Sequence, residues 1–401
     1  MTAQDALAAS VSAAPLAARI VDAVRAALGG ASNAALHEPE FAGNEWAYVK
    51  DCLDTGWVSS VGAYVDRFER ALAEVAGVRF AIATVNGTAA LHTALVCAGV
   101  REGDEVLLPA LNFIAAANAT RHAGAWPHFV EVEEVTLGID PAALDDHLRD
   151  VASREGDALI NRRSGRRIAA LLCLHPFGHP ARIEALVELA ARHRLPLVED
   201  AAEALGSLHR GRHLGGFGRL GALSFNGNKV VTTGGGGAIL TDDEALARRA
   251  KHLTTTARVP SGWHFVHDET GFNYRMPNIN AALGCAQLER LDDFIARKRR
   301  LAARYAEAFA SVPEARFLAE PEGARSNYWL NTILLAPDHA VAREAVLEAL
   351  NAAGYMARPV WTPMHHLPMY RDCPRAGLAR TDELCSRIVN LPSSPRLADR
   401  A

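Results

Sequence analysis

The sequence has no excess of positive charge. Its 42 lysines and arginines are outnumbered by 46 aspartates and glutamates, which gives a formal net charge of −4. Nucleic-acid binding requires clustered basic side chains that neutralise phosphates, and the arginine runs here, such as residues 162–167, are short. Runs of this kind are typical of solvated loops. We therefore expect no nucleic-acid partner.

Cysteine is also scarce, and no two cysteines are spaced as a CxxC pair. That spacing is the usual sign of a zinc site or a redox dithiol, so we predict neither and expect no metal. Several of the six cysteines lie in apolar runs, for example Cys97 and Cys173, which favours buried and reduced thiols. Reduced thiols predict a cytoplasmic location.

Long apolar runs are absent as well. No run approaches the roughly 20 residues that span a bilayer, so we expect no membrane association. The N-terminal stretch is rich in alanine, but Asp5, Arg19, Asp22 and Arg25 interrupt it at helical intervals. This pattern predicts an amphipathic helix that ends at Gly29-Gly30 rather than an export signal.

What the sequence does contain is a regular alternation of short β-branched runs with alanine-rich helical stretches. The predicted strands cover residues 78–85, 104–111, 126–132, 167–175 and 195–201, followed by a hairpin-like pair at 220–227 and 234–242. Such alternation predicts an α/β sheet covered by helices on both faces.

The pattern changes after about residue 285. Residues 286–310 predict one long, charged amphipathic helix, and a small α+β unit follows. We therefore predict an N-terminal helical extension (1–36), a large domain (37–285) and a small C-terminal domain (286–401).

The strongest local signal is a single lysine, Lys229, between the end of a predicted strand and four glycines at 234–237. Glycine lets the main chain approach a bulky, flat ligand closely. Taken alone, the pattern is equally typical of a surface lysine before a flexible turn.

A second signal is Asp200, which ends the apolar strand in LPLVEDAAEALGS and precedes small residues that predict a helix. Ligands of open α/β sheets bind at the carboxyl ends of the strands, where a carboxylate can hold a cationic ring nitrogen. The alternative is that Asp200 caps the predicted helix.

A third signal is ATVNGTAALHTAL, in which a helix is predicted to begin directly after a strand, at Gly87, Thr88 and Ala89. Exposed N–H groups and a threonine hydroxyl at a helix start suit a phosphate, although an ordinary capped turn has the same pattern. A phosphate cradle, a carboxylate and a lysine are together the groups that pyridoxal 5'-phosphate (PLP) requires.

These motifs resemble those of the DegT/DnrJ/EryC1/StrS family of sugar aminotransferases. The resemblance covers about residues 37–396, and its ordered motifs are NGTAALHTAL, PALNFIAAANA, HPFGHPARI, VEDAAEALGS, SFNGNKVVTTGGGGAILTDD and GFNYRMPNINAALGCAQLERL. It implies the fold type I of PLP-dependent transferases, an α/β fold. In that fold, helices sandwich a mostly parallel seven-stranded sheet and a smaller C-terminal α+β domain follows.

The resemblance also implies roles for individual residues. Lys229 would form the Schiff base with PLP, and Asp200 would pair with the pyridinium nitrogen. Glu203 stands near the ring hydroxyl, where the wider family usually has glutamine, and Phe113 stacks on the ring. The phosphate would be held by the residues Gly87, Thr88, Ala89, Ser224 and, from the partner subunit of a homodimer, Asn273.

A finer similarity concerns the substrate. The segments around residues 36–69, SNYWLNTILL and RPVWTPMHHLPMY are similar to the branch that aminates nucleotide-linked 4-keto-6-deoxy-N-acetylhexosamines, as in legionaminic acid pathways. This similarity implies transfer of an amino group from L-glutamate to C4 of such a sugar, with substrate contacts at Ser59, Trp329, Trp361 and His365. For each tryptophan alone, packing between the domains is an equal alternative.

Other functions are less consistent with the sequence. Amination at C3 of a 3-keto sugar is the alternative within the family. Related dehydratases carry histidine at the position of Lys229, and a non-catalytic sugar-binding relative is expected to lose the lysine or the carboxylate. An NAD-dependent enzyme would need a GxGxxG motif after the first strand, and none is present.

Overall fold

The computed structural model describes residues 3–399, with side chains from residue 13 onward. The helices are α1 (Ala3–Ala27), α2 (Glu45–Thr55), α3 (Ala63–Ala76), α4 (Gly87–Cys97), α5 (Ala115–His122), α6 (Pro141–Val151), α7 (Ile183–Arg192), α8 (Glu244–Thr254), α9 (Asn278–Leu288), α10 (Leu291–Phe309), α11 (Arg343–Ala352) and α12 (Ala379–Cys385). The strands are β1 (Phe80–Thr84), β2 (Glu105–Pro109), β3 (Trp126–Val130), β4 (Ala152–Glu155), β5 (Ala158–Asn161), β6 (Arg167–Leu174), β7 (Leu197–Asp200), β8 (Leu208–His209), β9 (Arg212–His213), β10 (Leu220–Ser224), β11 (Gly237–Thr241), β12 (Arg258–Val259), β13 (Val266–His267), β14 (Ala315–Phe317), β15 (Ala324–Arg325), β16 (Asn331–Leu335), β17 (Arg358–Pro359) and β18 (Ile388–Leu391).

Seven strands form the central sheet in the order β1-β11-β10-β7-β6-β2-β3, and the hairpin β4–β5 extends it beside β6. Strand β11 runs antiparallel to both of its neighbours, β1 and β10, as the predicted hairpin-like pair requires. The remaining neighbours along this path are parallel. The mostly parallel seven-stranded sheet expected from the sequence is therefore confirmed.

Both faces of the sheet are covered by helices, because successive side chains of a strand point to opposite faces. In β2, Val106 and Leu108 pack with the apolar residues of α4, α5 and α8. Leu107, which lies between them, packs with residues of α6 and α7. Full burial on both faces explains why these strands read as continuous apolar runs rather than alternating ones.

The prediction of one long helix over residues 286–310 is wrong in one respect, because α9 ends at Leu288 and α10 begins only at Leu291. The break falls at Glu289 and Arg290, where no glycine or proline marks it. The Glu289 carboxylate accepts hydrogen bonds from Arg67 and from the hydroxyl of Tyr48, each at 2.8 Å. These contacts with distant residues hold the turn that leads from the large sheet into the C-terminal unit.

The C-terminal unit contains the antiparallel sheet β14-β16-β18-β17. The N-terminal helix α1 packs against this unit, because Ile20 and Val24 share an apolar cluster with Tyr305 of α10 and Val346 of α11. Helix α1 is followed by Gly29 and Gly30 in left-handed conformations, as predicted. The proposed boundaries at residues 36 and 285 remain predictions.

Two further observations concern the whole described chain. None of the helices in residues 3–399 combines the length and apolarity needed to cross a bilayer. All six cysteines are unpaired, and five of them are buried.

Candidate active site

A cavity of about 330 Å³ opens at the carboxyl ends of the parallel strands. This is where α/β sheets bind ligands, and the volume lies at the lower end of the range of about 300–1,000 Å³ for small-molecule sites. The predicted residues that line it are Gly87, Thr88, Phe113, Asp200, Glu203, Ser224, Lys229, Trp329 and Trp361. Residues separated by up to 274 positions in the sequence thus meet at one point.

One end of the cavity is the N-terminus of α4. The Asn86 side chain caps this helix by accepting the N–H of Ala89 at 2.8 Å. The Ala89 N–H, which we expected to contribute to a phosphate site, is therefore already donated. The N–H groups of Gly87 and Thr88 have no intrahelical acceptor, so the helix start is suited to an anion.

Ser224 closes this end from the neighbouring strand β10. A Cβ atom added at Gly87 would lie 2.9 Å from the Ser224 Cβ, so only glycine permits this approach. The helix start and the serine hydroxyl thus form a compact cradle of the kind that holds a phosphate.

Asp200 lies deep in the cavity at the end of β7, between β6 and β10. It is 3% exposed, and burial raises the pKa of its carboxyl. The predicted helix after this strand is wrong, because residues 201–207 form turns. Asp200 does accept the N–H of Ala202 at 3.2 Å, but it caps no helix.

The turns after β7 are held by the C-terminal unit. Asn327 donates its side-chain amide to the carbonyl oxygens of Glu203 and Leu205, both at 2.9 Å. Its own backbone N–H donates to Ser207 Oγ at 2.9 Å. These bonds take up backbone groups that a helix would otherwise use, which explains why local propensity does not prevail here.

Lys229 enters the cavity from the loop after β10, and its side chain is 13% exposed. Its Nζ lies 3.6 Å from Oε1 of Glu203 and 3.6 Å from the centre of the Trp329 ring. Burial lowers the pKa of the Lys229 ammonium and raises the pKa of the Glu203 carboxyl. Burial thus favours the neutral amine of Lys229, which is the form that reacts with a carbonyl, while the two carboxyl groups favour the ammonium ion.

Aromatic side chains also line the cavity. The Trp361 ring stacks on Phe177 with centroids 5.6 Å apart and tilts against Phe113 at 6.3 Å. Phe113 is half exposed at the mouth. Trp329 is 4% exposed, and its indole N–H donates to the carbonyl of Asn228 at 2.7 Å. The buried Trp329 thus belongs both to the core between the two units and to the wall beside Lys229.

Four predicted residues do not line the cavity within this chain, namely Ala89, whose N–H is donated to Asn86, and Ser59, His365 and Asn273. Ser59 lies in an exposed loop, where its carbonyl accepts the N–H of Asn278. His365 is buried, and its Nε2 lies 3.1 Å from Asp382 in a separate surface depression. Asn273 is exposed and pairs with Thr255 through the backbone. Roles for them in the site remain predictions.

The sequence reasoning missed Asn112, which is 1% exposed and lines the cavity next to Asp200. Its amide lies close enough to Asp200 to lower the pKa of that carboxyl, but neither the amide nitrogen nor the amide oxygen makes a hydrogen bond of good geometry. Buried amides are nearly always satisfied, so this one indicates a polar ligand in the cavity. The anion cradle, the buried carboxylate, the lysine and this free amide fit PLP. A polar residue directly after the apolar run VLLPAL was the available signal.

Glu199, the residue before Asp200, binds the backbone of the loop at residues 215–218. Its carboxylate accepts the backbone N–H groups of Gly215, Phe217 and Gly218, at 2.6–2.8 Å. Nε2 of the buried His175 lies 2.9 Å from the same carboxylate. Four donors thus depend on one buried side chain.

We expect Glu199→Ala to lower the free energy of unfolding by about 3–5 kcal/mol, because it leaves these buried donors unpaired. Denaturant unfolding monitored by circular dichroism measures the change. Glu155→Ala, at an exposed position of β4, is the control, with an expected change within about 0.5 kcal/mol. Equal stability of both variants would show that water replaces the lost acceptor.

Comparison with known proteins identifies the family of this chain. Residues 39–401 match the DegT/DnrJ/EryC1/StrS aminotransferase family. The GDP-perosamine synthase of Vibrio cholerae is 35% identical over 365 residues, which is 91% of this chain and 95% of the relative. That of Escherichia coli O157:H7 is 37% identical over 364 residues, or 91% and 94% of the two chains.

Solved structures show the same fold. The aminotransferase TlmJ from Streptoalloteichus hindustanus superposes with a TM-score of 0.80 at 28% identity, over 90% of this chain and 93% of that one. DesI, solved in the presence of its TDP-sugar product, has a TM-score of 0.80 at 29% identity, over 92% of each chain. The chain therefore belongs to the DegT/DnrJ/EryC1/StrS aminotransferase family and is a PLP-dependent sugar aminotransferase.

Proposed function

We propose that this enzyme transfers an amino group from L-glutamate to C4 of a nucleotide-linked 4-keto-6-deoxy sugar. The observation that carries the proposal is the meeting of Lys229, Asp200 and the α4 cradle in one cavity. The position of amination is supported by the GDP-perosamine synthases, which are 4-aminotransferases. Two sugars are candidates: the N-acetylated hexosamine suggested by the sequence and a GDP-linked sugar of the perosamine type.

The residues of the cavity divide the work between them. The start of α4 and Ser224 would bind the cofactor phosphate, and the Asp200 carboxylate would keep a proton on the ring nitrogen. PLP, when bound, supplies an electron sink for the negative charge that develops at the donor's Cα. The neutral amine of Lys229 would remove the proton from Cα and return it to the cofactor carbon. The same groups acting in reverse on a keto sugar would leave an amine at the former carbonyl carbon.

Trp361 suits the sugar, next to Phe113, which we expect to stack on the cofactor ring. Both rings line the cavity, and apolar ring faces pack well against the C–H faces of a sugar. Because Phe113 is half exposed at the mouth, a nucleotide attached to the sugar would extend past it toward solvent.

We expect turnover of 4-keto-6-deoxy sugars linked to a nucleotide and none of the free sugars. Incubation of the enzyme with glutamate and either UDP-linked N-acetyl or GDP-linked 4-keto sugar, followed by NMR of the product, measures the preference and the position of the amine. An amine at C3, or reaction of amino acids alone with no nucleotide sugar accepted, would contradict the proposal.

We also propose that the enzyme is a homodimer with shared active sites, in which Asn273 contacts the cofactor phosphate of the partner. Large apolar side chains are strongly exposed on the single chain, namely those of Trp46, Trp57, Trp263 and Phe265, at 57–97%. Apolar groups of this size are commonly covered in an assembly, and two-fold pairs are the most frequent form.

Mixing two inactive variants tests the shared site. If Asn273 acts across the interface, heterodimers of Lys229→Ala and Asn273→Ala chains contain one intact site, so the mixture is expected to recover about a quarter of wild-type activity. Each variant alone is the control, and light scattering gives the mass of the assembly. Failure to recover activity in proven heterodimers, or active monomers, would show that each chain has its own complete site.

A cytoplasmic location remains a prediction that the six unpaired cysteines support. Fractionation of the native host, with the enzyme followed by antibody, tests it.

A further inference from the structure

Two buried carboxylates, rather than one, stand beside Lys229. Asp200 and Glu203 both line the cavity and are 3% and 4% exposed. The ring nitrogen of PLP requires only one of them. The second carboxylate is therefore a feature of this chain that the proposed function leaves unexplained.

The contacts of Glu203 connect it to the lysine. Its Oε2 accepts the backbone N–H of Phe177 at 2.8 Å, which orients the carboxyl group. Its Oε1 faces Lys229 Nζ at 3.6 Å, and Lys229 is the sole cation within 4.0 Å of it among the residues whose side chains are described. Nζ also lies 3.6 Å from the centre of the Trp329 ring. The amine thus contacts both an aromatic face and a carboxyl group.

Burial determines which charge states this lysine–carboxyl pair adopts. Both partners are almost out of contact with water, and burial disfavours the charged form of each. A pair that shares one proton has zero net charge whether the proton is on nitrogen or on oxygen. Moving the proton between them therefore adds no net charge to the buried site. Releasing the proton to solvent would leave a net negative charge there, which burial disfavours.

We infer that Glu203 is a positioning residue that holds the Lys229 amine and exchanges a single proton with it. The proton moves from Nζ to Oε1 when the lysine must be a neutral nucleophile or base. It returns to Nζ when the free amine is needed in neither role. Glutamine can accept the Phe177 N–H in the same way but cannot take this proton.

The test is the pH dependence of the half-reaction with glutamate in the holoenzyme, followed by loss of the visible band in single turnovers. The acid limb of this profile reports loss of the neutral lysine. Removing a neighbouring negative charge lowers a lysine pKa, so in Glu203→Gln the limb is expected to move to lower pH by about one unit or more. Glu203→Asp retains a carboxyl group and is expected to move the limb back toward the wild-type position.

The surface variant Glu188→Gln on α7 is the control and should leave the profile unchanged. An acid limb of Glu203→Gln at the wild-type pH would overturn the inference, whatever the rate at the plateau. If Glu203→Gln does not retain the cofactor, Glu203→Ala, which also removes the carboxyl group, takes its place, and an acid limb of that variant at the wild-type pH again overturns the inference.

The inference rests on the proposed role of Lys229, and the two can fail separately. Borohydride reduction of the wild-type holoenzyme and peptide mapping identify the lysine that carries the cofactor before any profile is recorded. A cofactor found on another lysine refutes the proposed site, whereas a cofactor on Lys229 with an unmoved acid limb refutes the role of Glu203 alone.

Discussion

Replacing Lys229 by alanine is expected to remove the visible band of the bound cofactor and to reduce activity by at least about a thousandfold, because the nucleophile and the proton carrier are the same group. The fold should persist, since the removed side chain projects into a cavity rather than into the core. Absorbance spectra and single-turnover kinetics measure the effect. Lys50→Ala, at an exposed position of α2, is the control.

The chain contains one alternative lysine for the covalent attachment of the cofactor. It contains four lysines, and Lys298 is the other one with little exposure to water. Lys298 donates to the carbonyl oxygens of Trp329 and Ser393 and does not line the cavity. A band that persists in Lys229→Ala, with borohydride labelling at Lys298, would show that Lys298 and not Lys229 carries the cofactor.

The second large effect is expected for Asp200→Asn, which should retain the fold and lose about a hundredfold or more in kcat. The fold tolerates the change because burial already disfavours the charged carboxyl, as its raised pKa shows. Catalysis does not tolerate it, because breaking a buried charge pair costs about 3–5 kcal/mol and each 1.36 kcal/mol is a factor of about ten in rate.

Asp140→Asn is the matched control for this substitution. Asp140 caps α6 by accepting the N–H groups of Ala142 and Ala143, and asparagine caps helices equally well. That variant is expected to keep full activity. If Asp200→Asn also remains within about threefold of the wild type, less than 1 kcal/mol of barrier, then Asp200 only accepts the Ala202 N–H and holds no ring nitrogen.

Errors in the sequence interpretation occur where distant residues compete with local preference. The small residues after Asp200 have high helix propensity, yet they form turns because Asn327 binds the carbonyls of Glu203 and Leu205. The long helix breaks at Glu289 because Arg67 and Tyr48 bind its carboxylate. Partners more than 100 positions away cannot be inferred from a local window of sequence.

The residues predicted to contact the substrate also show that a local motif does not determine where a side chain lies in the fold. Trp329 and His365 both belong to motifs that suggested contact with the substrate. The structure places Trp329 beneath Lys229 and His365 against Asp382 outside the cavity. The sequence marks Asn112 only as a polar residue after an apolar run, because an unsatisfied amide can be recognised only when its surroundings are known.

The sequence by itself determined the positions along the chain of the seven central strands, the family and the residue types that PLP requires. These features depend on period, turn chemistry and short motifs, which are local. The tertiary structure alone decided the strand order in the sheet, the pairing of Lys229 with Glu203 and the packing of α1 on the C-terminal unit. Each of these depends on which surfaces are buried together, and burial is a property of the whole folded chain rather than of any segment.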